Sequence, residues 1–230
     1  MSELLGVNIE DGIATLTLNN GKVNAFSHEM IAAVNAGLDE AEAAGAVVII
    51  TGQPGIFSGG YDLKTMQASP EAAMALVKEG STLTRRILSF PQPVVAACNG
   101  HAIAKGVFVL LCCDHRIGVS GDFKLGLNEV AIGIPMHHAG IAMARHRMPK
   151  PFFNRSVITA EMFDPDTAIA AGILDRVVPP EALMATARKV AEAMKGLNRD
   201  AYLKTKLKVR KDYLEHLDWA IEEDARVGFS

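Results

Sequence analysis

Residues 46–51 (AVVIIT) form a short, apolar, β-branched run that stops at Gly52, Pro54 and Gly55. A run of this length and chemistry fits a buried strand. It delivers the chain into residues 56–64 (IFSGGYDLK), where Gly59 and Gly60 accept backbone angles and close approaches that a Cβ forbids. After Asp62, Leu63-Lys-Thr-Met66 can continue as a helical turn. A strand, paired glycines and a helix start bring backbone amides up to a ligand. Unpartnered first-turn amides can then donate to an anionic oxygen. A plain strand-to-loop connection reads the same way, so this stretch alone leaves both readings open.

Composition narrows the classes. A chain of 230 residues with 49% hydrophobic and 21% charged residues suits one soluble domain with a sizeable core. Net charge is −3 and no basic patch is interleaved with aromatics, which gives nucleic-acid binding no support. The N-terminal residues MSELL lack the basic-then-apolar order of a signal peptide. No stretch reaches the ~18 apolar residues of a membrane span. Cys98, Cys112 and Cys113 are odd in number and sit in apolar surroundings, as reduced core thiols of a cytoplasmic protein do.

In chain order, residues 7–10 and 13–18 alternate as strands around Asp11-Gly12, a hairpin signal. Ser27 caps a helix with apolar positions Met30, Ile31, Val34 and Leu38. Ser69-Pro70-Glu71 starts another, expected to run to about Ser89 before Pro91 and Pro93. Residues 94–98 and 114–119 read as strands, and the almost wholly apolar 104–113 as a helix buried on every side. A helix over 138–147 is expected to break at Pro149 and Pro151. Asp164-Pro165 opens a short helix closed by Gly172, residues 176–178 form a strand, and 180–195 an amphipathic helix. The tail from Asn198 reads as two more helices. The fold class is α/β, with a core over 1–195 and a helical segment over 196–230.

Several blocks then fall in one order: 11–18 (DGIATLTL), 57–64 (FSGGYDLK), 93–102 (PVVAACNGHA), 113–117 (CDHRI), 126–129 (GLNE) and 168–179 (AIAAGILDRVVP). Across nearly its whole length the chain resembles the crotonase, or enoyl-CoA hydratase/isomerase, family. That resemblance implies a crotonase-like superhelix of ββα turns. It also implies a homo-oligomer, a trimer or dimer of trimers, assembled through the C-terminal helical region. The substrate it implies is an acyl-CoA thioester, with CoA as part of the substrate and no separate cofactor.

The implied chemistry is stabilisation of a thioester enolate by two backbone N–H donors, and losing one such donor typically costs ~10²–10³ in rate. By motif, the donors are the amides of Tyr61 and Lys105. Lys105 lies in Ala104-Lys105-Gly106, where relatives usually show three glycines, but any residue except proline supplies the amide. Lys105 is otherwise a plain first-turn residue of the buried helix. Hydratases of the family use two glutamates; the first position falls here on Phe108 and the second on Glu129. One retained base suits a 3-enoyl to 2-enoyl double-bond shift, which needs one proton carrier. Glu129 is otherwise a strand-end carboxylate.

His137 and His138 stand where relatives carry a glycine-rich turn. One of the two imidazoles is a candidate second acid/base group for hydration or thioester hydrolysis, with helix capping or an interface as the plainer roles. Neither the paired histidines nor the Cys112–His115 stretch has metal-site spacing, so no metal is expected. Lys22, Val23, Ala25 and Phe26 match the segment that meets the adenine and pantetheine arm, with Gly59 and Leu63 opposite. Lys64 is a candidate for the CoA phosphates or a merely solvated lysine. A non-catalytic acyl-CoA-binding oligomer remains the reading from a different class.

Overall fold

The computed structural model describes residues 4–229. The Asp11-Gly12 hairpin forms as expected: β1 (Leu5–Glu10) runs antiparallel to β2 (Ile13–Leu18), with φ positive at both turn residues. Helix α1 (His28–Ala43) follows, and the Ser27 Oγ accepts from the Met30 amide at its start. Then β3 (Val47–Thr51) leads through Gly52 into β4 (Gly55–Ser58), the short α2 (Leu63–Met66) and the long α3 (Pro70–Ser89). The pattern repeats as β5 (Val94–Cys98), β6 (Gly100–Ile103) and α4 (Lys105–Cys112). It repeats again as β7 (His115–Val119), β8 (Leu125–Gly126) and, after a 3-10 turn, α5 (His138–Arg147).

Each repeat therefore places one strand in each of two sheets. The larger sheet has the order β1-β2-β3-β5-β7-β10, parallel from β2 onward, with β10 (Arg176–Val178) at its edge. The smaller has β4, β6 and β8 in parallel and closes with β9 (Met162–Phe163), antiparallel to β8. These alternating ββα turns are the crotonase-like superhelix.

The apolar runs in β3 and β5 have no polar alternation because both faces of the sheet are covered. Val48, Ile50, Val94 and Ala96 point into the main core with α1, α3 and α4. Val47, Ile49, Val95 and Ala97 pack instead on Leu183, Ala187 and Ala191 of α8 (Leu183–Lys195). All eight residues of α4 are buried, as its composition requires, and the three cysteines are free and buried.

Two helical expectations are corrected. Pro149 and Pro151 end α5 but also begin α6 (Lys150–Val157), because a first-turn proline has no helical N–H to lose. The tail is not two helices but one, α9 (Arg199–Val227), 29 residues long and capped by the Asn198 side chain. The remaining short helix is α7 (Pro165–Ala170). Asp114 fastens α9: its carboxylate accepts from Lys206 Nζ at 2.9 Å, Arg210 Nη2 at 2.9 Å and Tyr202 Oη at 2.8 Å. Among the described residues no helix is long and apolar enough to cross a membrane.

Candidate active site

Where β4 ends, the backbone of residues 23–26 runs alongside residues 59–62. Gly59 N donates to Val23 O at 2.7 Å, Phe26 N to Gly60 O at 2.8 Å and Asp62 N to Phe26 O at 3.0 Å. This pairing uses the residues on either side of Tyr61 and leaves the Tyr61 amide out of it. Space explains the glycines: a Cβ on Gly59 would stand 3.2 Å from the Val23 Cβ. Gly60 has φ +108°, and a Cβ there would stand 3.1 Å from the Ala104 Cβ and 3.8 Å from the Lys105 nitrogen. The turn at Tyr61 and the start of α4 are thus direct neighbours.

Ala104 itself takes φ +50°, ψ −115°, a conformation costing a side-chain-bearing residue about 1–3 kcal/mol. It is held there by its amide on Gly126 O at 2.9 Å and its carbonyl under Phe108 N at 3.2 Å. Lys105 follows as the first residue of α4, so its amide has no acceptor within the helix. Its side chain is wholly buried, with Nζ donating to Gly80 O. The ammonium lies 5.7 Å from the Tyr61 ring centroid and 5.9 Å from that of Phe26. Burial pushes its pKa down to about 7.

Tyr61, Ala104, Glu129 and His137 all line one cavity of about 140 Å³, and Lys105, next to Ala104, does not itself line it. Leu63, Met66, Val77, Ile132, Ile134 and Phe229 make the rest of its wall largely apolar. Glu129 is 8% exposed, and its Oε2 is buried with no hydrogen-bond partner. Burial raises its pKa to about 7. A more open cleft of about 460 Å³ lies against α9, but its carboxylate, Asp114, is already fully engaged. Of these two cavities, among the described residues, the smaller is the one lined by unpartnered titratable groups.

The two histidines part company. His137 precedes α5 and lines the cavity, with Nε2 buried and unpartnered; burial and the nearby Lys105 charge push its pKa down to about 3. His138 does not line the cavity: its amide donates to Asp224 Oδ1 at 2.7 Å, and its ring faces Trp219. It therefore drops out as an acid/base candidate. Phe108 is fully buried behind His137 and does not line the cavity either. Lys22 and Val23 are exposed, Ala25 half-buried and Phe26 buried, so this segment meets the site through its backbone. Among the described residues no group of three metal-ligating side chains is gathered. Met66, Ile134 and Phe229 were not legible as wall residues, since apolar residues in loops and at a helix end carry no motif.

The enoyl-CoA hydratase/isomerase family model matches residues 8–228. This chain belongs to the enoyl-CoA hydratase/isomerase, or crotonase, family. Among solved structures, an enoyl-CoA hydratase/isomerase family protein from Pseudomonas syringae is 60% identical, with a TM-score of 0.97 over 99% of both chains. The mouse mitochondrial enoyl-CoA delta isomerase 1 is 29% identical over 90% of this chain and 73% of its own length. A probable enoyl-CoA hydratase of Bacillus subtilis is 35% identical over 57% of this chain. That match spans about half of the Bacillus protein, 52% of its length. The family's members thus include both hydratase and isomerase names.

Proposed function

We propose that this crotonase-family protein is an enoyl-CoA isomerase that moves a double bond from the 3- to the 2-position of an acyl-CoA. The carrying observation is that Glu129 is the one carboxyl among the residues lining the cavity. The position implied for a second glutamate holds the buried Phe108.

In this reading the thioester oxygen accepts from the Tyr61 and Lys105 amides. The Glu129 carboxylate takes a proton from C2, and the C–H electron pair moves into the conjugated system as negative charge gathers on the oxygen. The same carboxyl then returns the proton at C4, leaving the 2-enoyl product and the starting carboxylate. A base whose pKa is lifted to about 7 is strong enough to abstract and is still ionised in part at neutral pH. The CoA arm runs past residues 22–26, whose backbone is fixed against Gly59–Asp62.

The rival reading, hydration or thioester hydrolysis with His137 as second acid/base, is favoured only by its unpartnered Nε2 in the cavity. An imidazole neutral down to about pH 3 supplies no imidazolium acid at pH 7. Product mass separates the readings on a panel of 2- and 3-enoyl-CoA esters. Isomerisation leaves the mass unchanged, hydration adds one water, and hydrolysis releases free CoA. Bound ester with no product would instead favour the non-catalytic reading.

The same proposal has the 196–230 segment joining subunits into a trimer or dimer of trimers in the cytoplasm. Leu207, Val209 and Trp219 are exposed apolar residues on α9, and Val209 is 75% exposed. Light scattering on the purified protein gives the subunit number.

A further inference from the structure

We propose that the side-chain ammonium of Lys105 is a built-in counter-charge for the enolate oxygen, kept without an anion of its own until that charge forms. This rests on the acyl-CoA enolate reading above, and concerns the side chain, whereas that reading uses only the Lys105 amide.

Lys105 is wholly buried, and among the described residues no carboxylate pairs with it. Its partners are the Gly80 carbonyl of α3 and the faces of Phe26 and Tyr61. A carbonyl and two rings stabilise an ammonium in part, but a buried cation without a counter-ion is costly in the resting protein. Gly80 lies against the Tyr61 ring so closely that a Cβ there would come within 2.3 Å of the phenol oxygen. Lys105, Gly80 and Tyr61 are therefore one packed unit, and two of the three supply the candidate oxyanion amides. The ammonium is tethered by its own side chain to one donor, the Lys105 amide, and lies 5.7 Å from the ring centroid of Tyr61, the residue that carries the other.

The groups around it leave that role vacant. On α4 itself the Cys112 thiol is pushed up to about 11, and at the start of α5 His137 is pushed down to about 3. Burial raises the Tyr61 phenol, and its hydroxyl donates to Val77 O on α3 at 3.4 Å. All three are neutral at pH 7. The carboxyls of Glu129 and Asp224 act on Tyr61 without pairing with Lys105. A cation unpaired in the ground state and paired when the enolate forms is the differential interaction that lowers a barrier. A lysine that only braced α3 against α4 would leave the charge state of a bound ligand untouched.

The test uses acetoacetyl-CoA, a 3-ketoacyl thioester whose enolate absorbs in the near ultraviolet, bound to the full-length protein. All proteins carry Glu129→Gln, so the readout needs no turnover and a failed isomerase assay leaves it unaffected. Lys105→Met and Lys105→Gln keep the backbone amide and remove the charge. The expected result is that the enolate-to-keto ratio of the bound ester at a fixed pH below 7, where Lys105 holds its proton, falls about tenfold or more in both variants, about one unit in the ligand's apparent pKa. Total binding should change by less than about threefold. An unchanged ratio in either variant overturns the proposal. In the parent protein alone, the bound ester should ionise at lower pH than the free ester, and its failure to do so also overturns the proposal, whether or not the variants fold. If the parent does not bind the ester at all, the acyl-CoA reading fails and the proposal with it.

Discussion

The Phe108 ring meets the His137 imidazole edge-on, with centroids 5.5 Å apart and planes at 86°. A carboxylate in place of that ring would pair with the imidazole and hold it charged. The aromatic edge leaves it neutral and desolvated. His137 then shapes the cavity without acting as an imidazolium acid. Its replacement in His137→Gln should lower kcat by less than about tenfold, since removal of a true general acid or base typically costs 10²–10⁴. The rise of kcat/KM with pH, set by Glu129 near pH 7, should stay where it is. A limb that vanishes with the histidine would make it an acid/base group.

Lys105 should make the fold pH-dependent. Its pKa is about 7 in the folded chain and returns to about 10.5 on unfolding. Between those values the unfolded state binds the extra proton, so stability rises with pH across that window. Lys105→Met should melt higher than the parent at pH 7, by on the order of a few kcal/mol, with the difference shrinking towards pH 10.5. Thermal melts at pH 7 and pH 10 check this. An equal or lower melting point at pH 7 would mean that the ammonium is not a cost to the fold.

Met66, Ile134 and Phe229 line both the active-site cavity and a neighbouring one of about 360 Å³. They form the wall between the two. Phe229→Ala should open the wall and raise kcat/KM for longer acyl chains over short ones, by about fourfold for each of the first added methylenes. A chain-length series on both proteins measures it, and an unchanged preference would place the limit elsewhere.

Asp224 on α9 accepts from the His138 and Ala139 amides at 2.7 and 2.9 Å, closing the start of α5. Asp224→Ala leaves both amides, one buried and one part-buried, without this acceptor. It should lower stability by about 1–3 kcal/mol, read as a fall in Tm.

Strong local signals were legible in the sequence: the Asp11-Gly12 turn, the Ser69-Pro70-Glu71 helix start and the all-apolar α4 each matched the structure. β9 was not, because a strand of two residues shows no alternation and forms by pairing with β8. Pro149 and Pro151 signal a helix stop by their chemistry, yet they also stand at the start of α6. The tail looked divisible because its charges alternate, yet no glycine or proline interrupts residues 199–227. At the site, motifs pointed to Glu129 and the glycine turn. Which of two adjacent histidines faces the cavity depends on where α5 begins, and that is set by Asp224, 86 residues away from His138.

One measurement bears most directly on the whole account: the rate of 3-enoyl-CoA to 2-enoyl-CoA conversion by the wild type and by Glu129→Gln. The substitution keeps the size of the side chain and removes its capacity to take a proton. A loss of about 10²–10⁴-fold in kcat, with little change in KM, is the predicted result. Conversion at the wild-type rate in Glu129→Gln would contradict it.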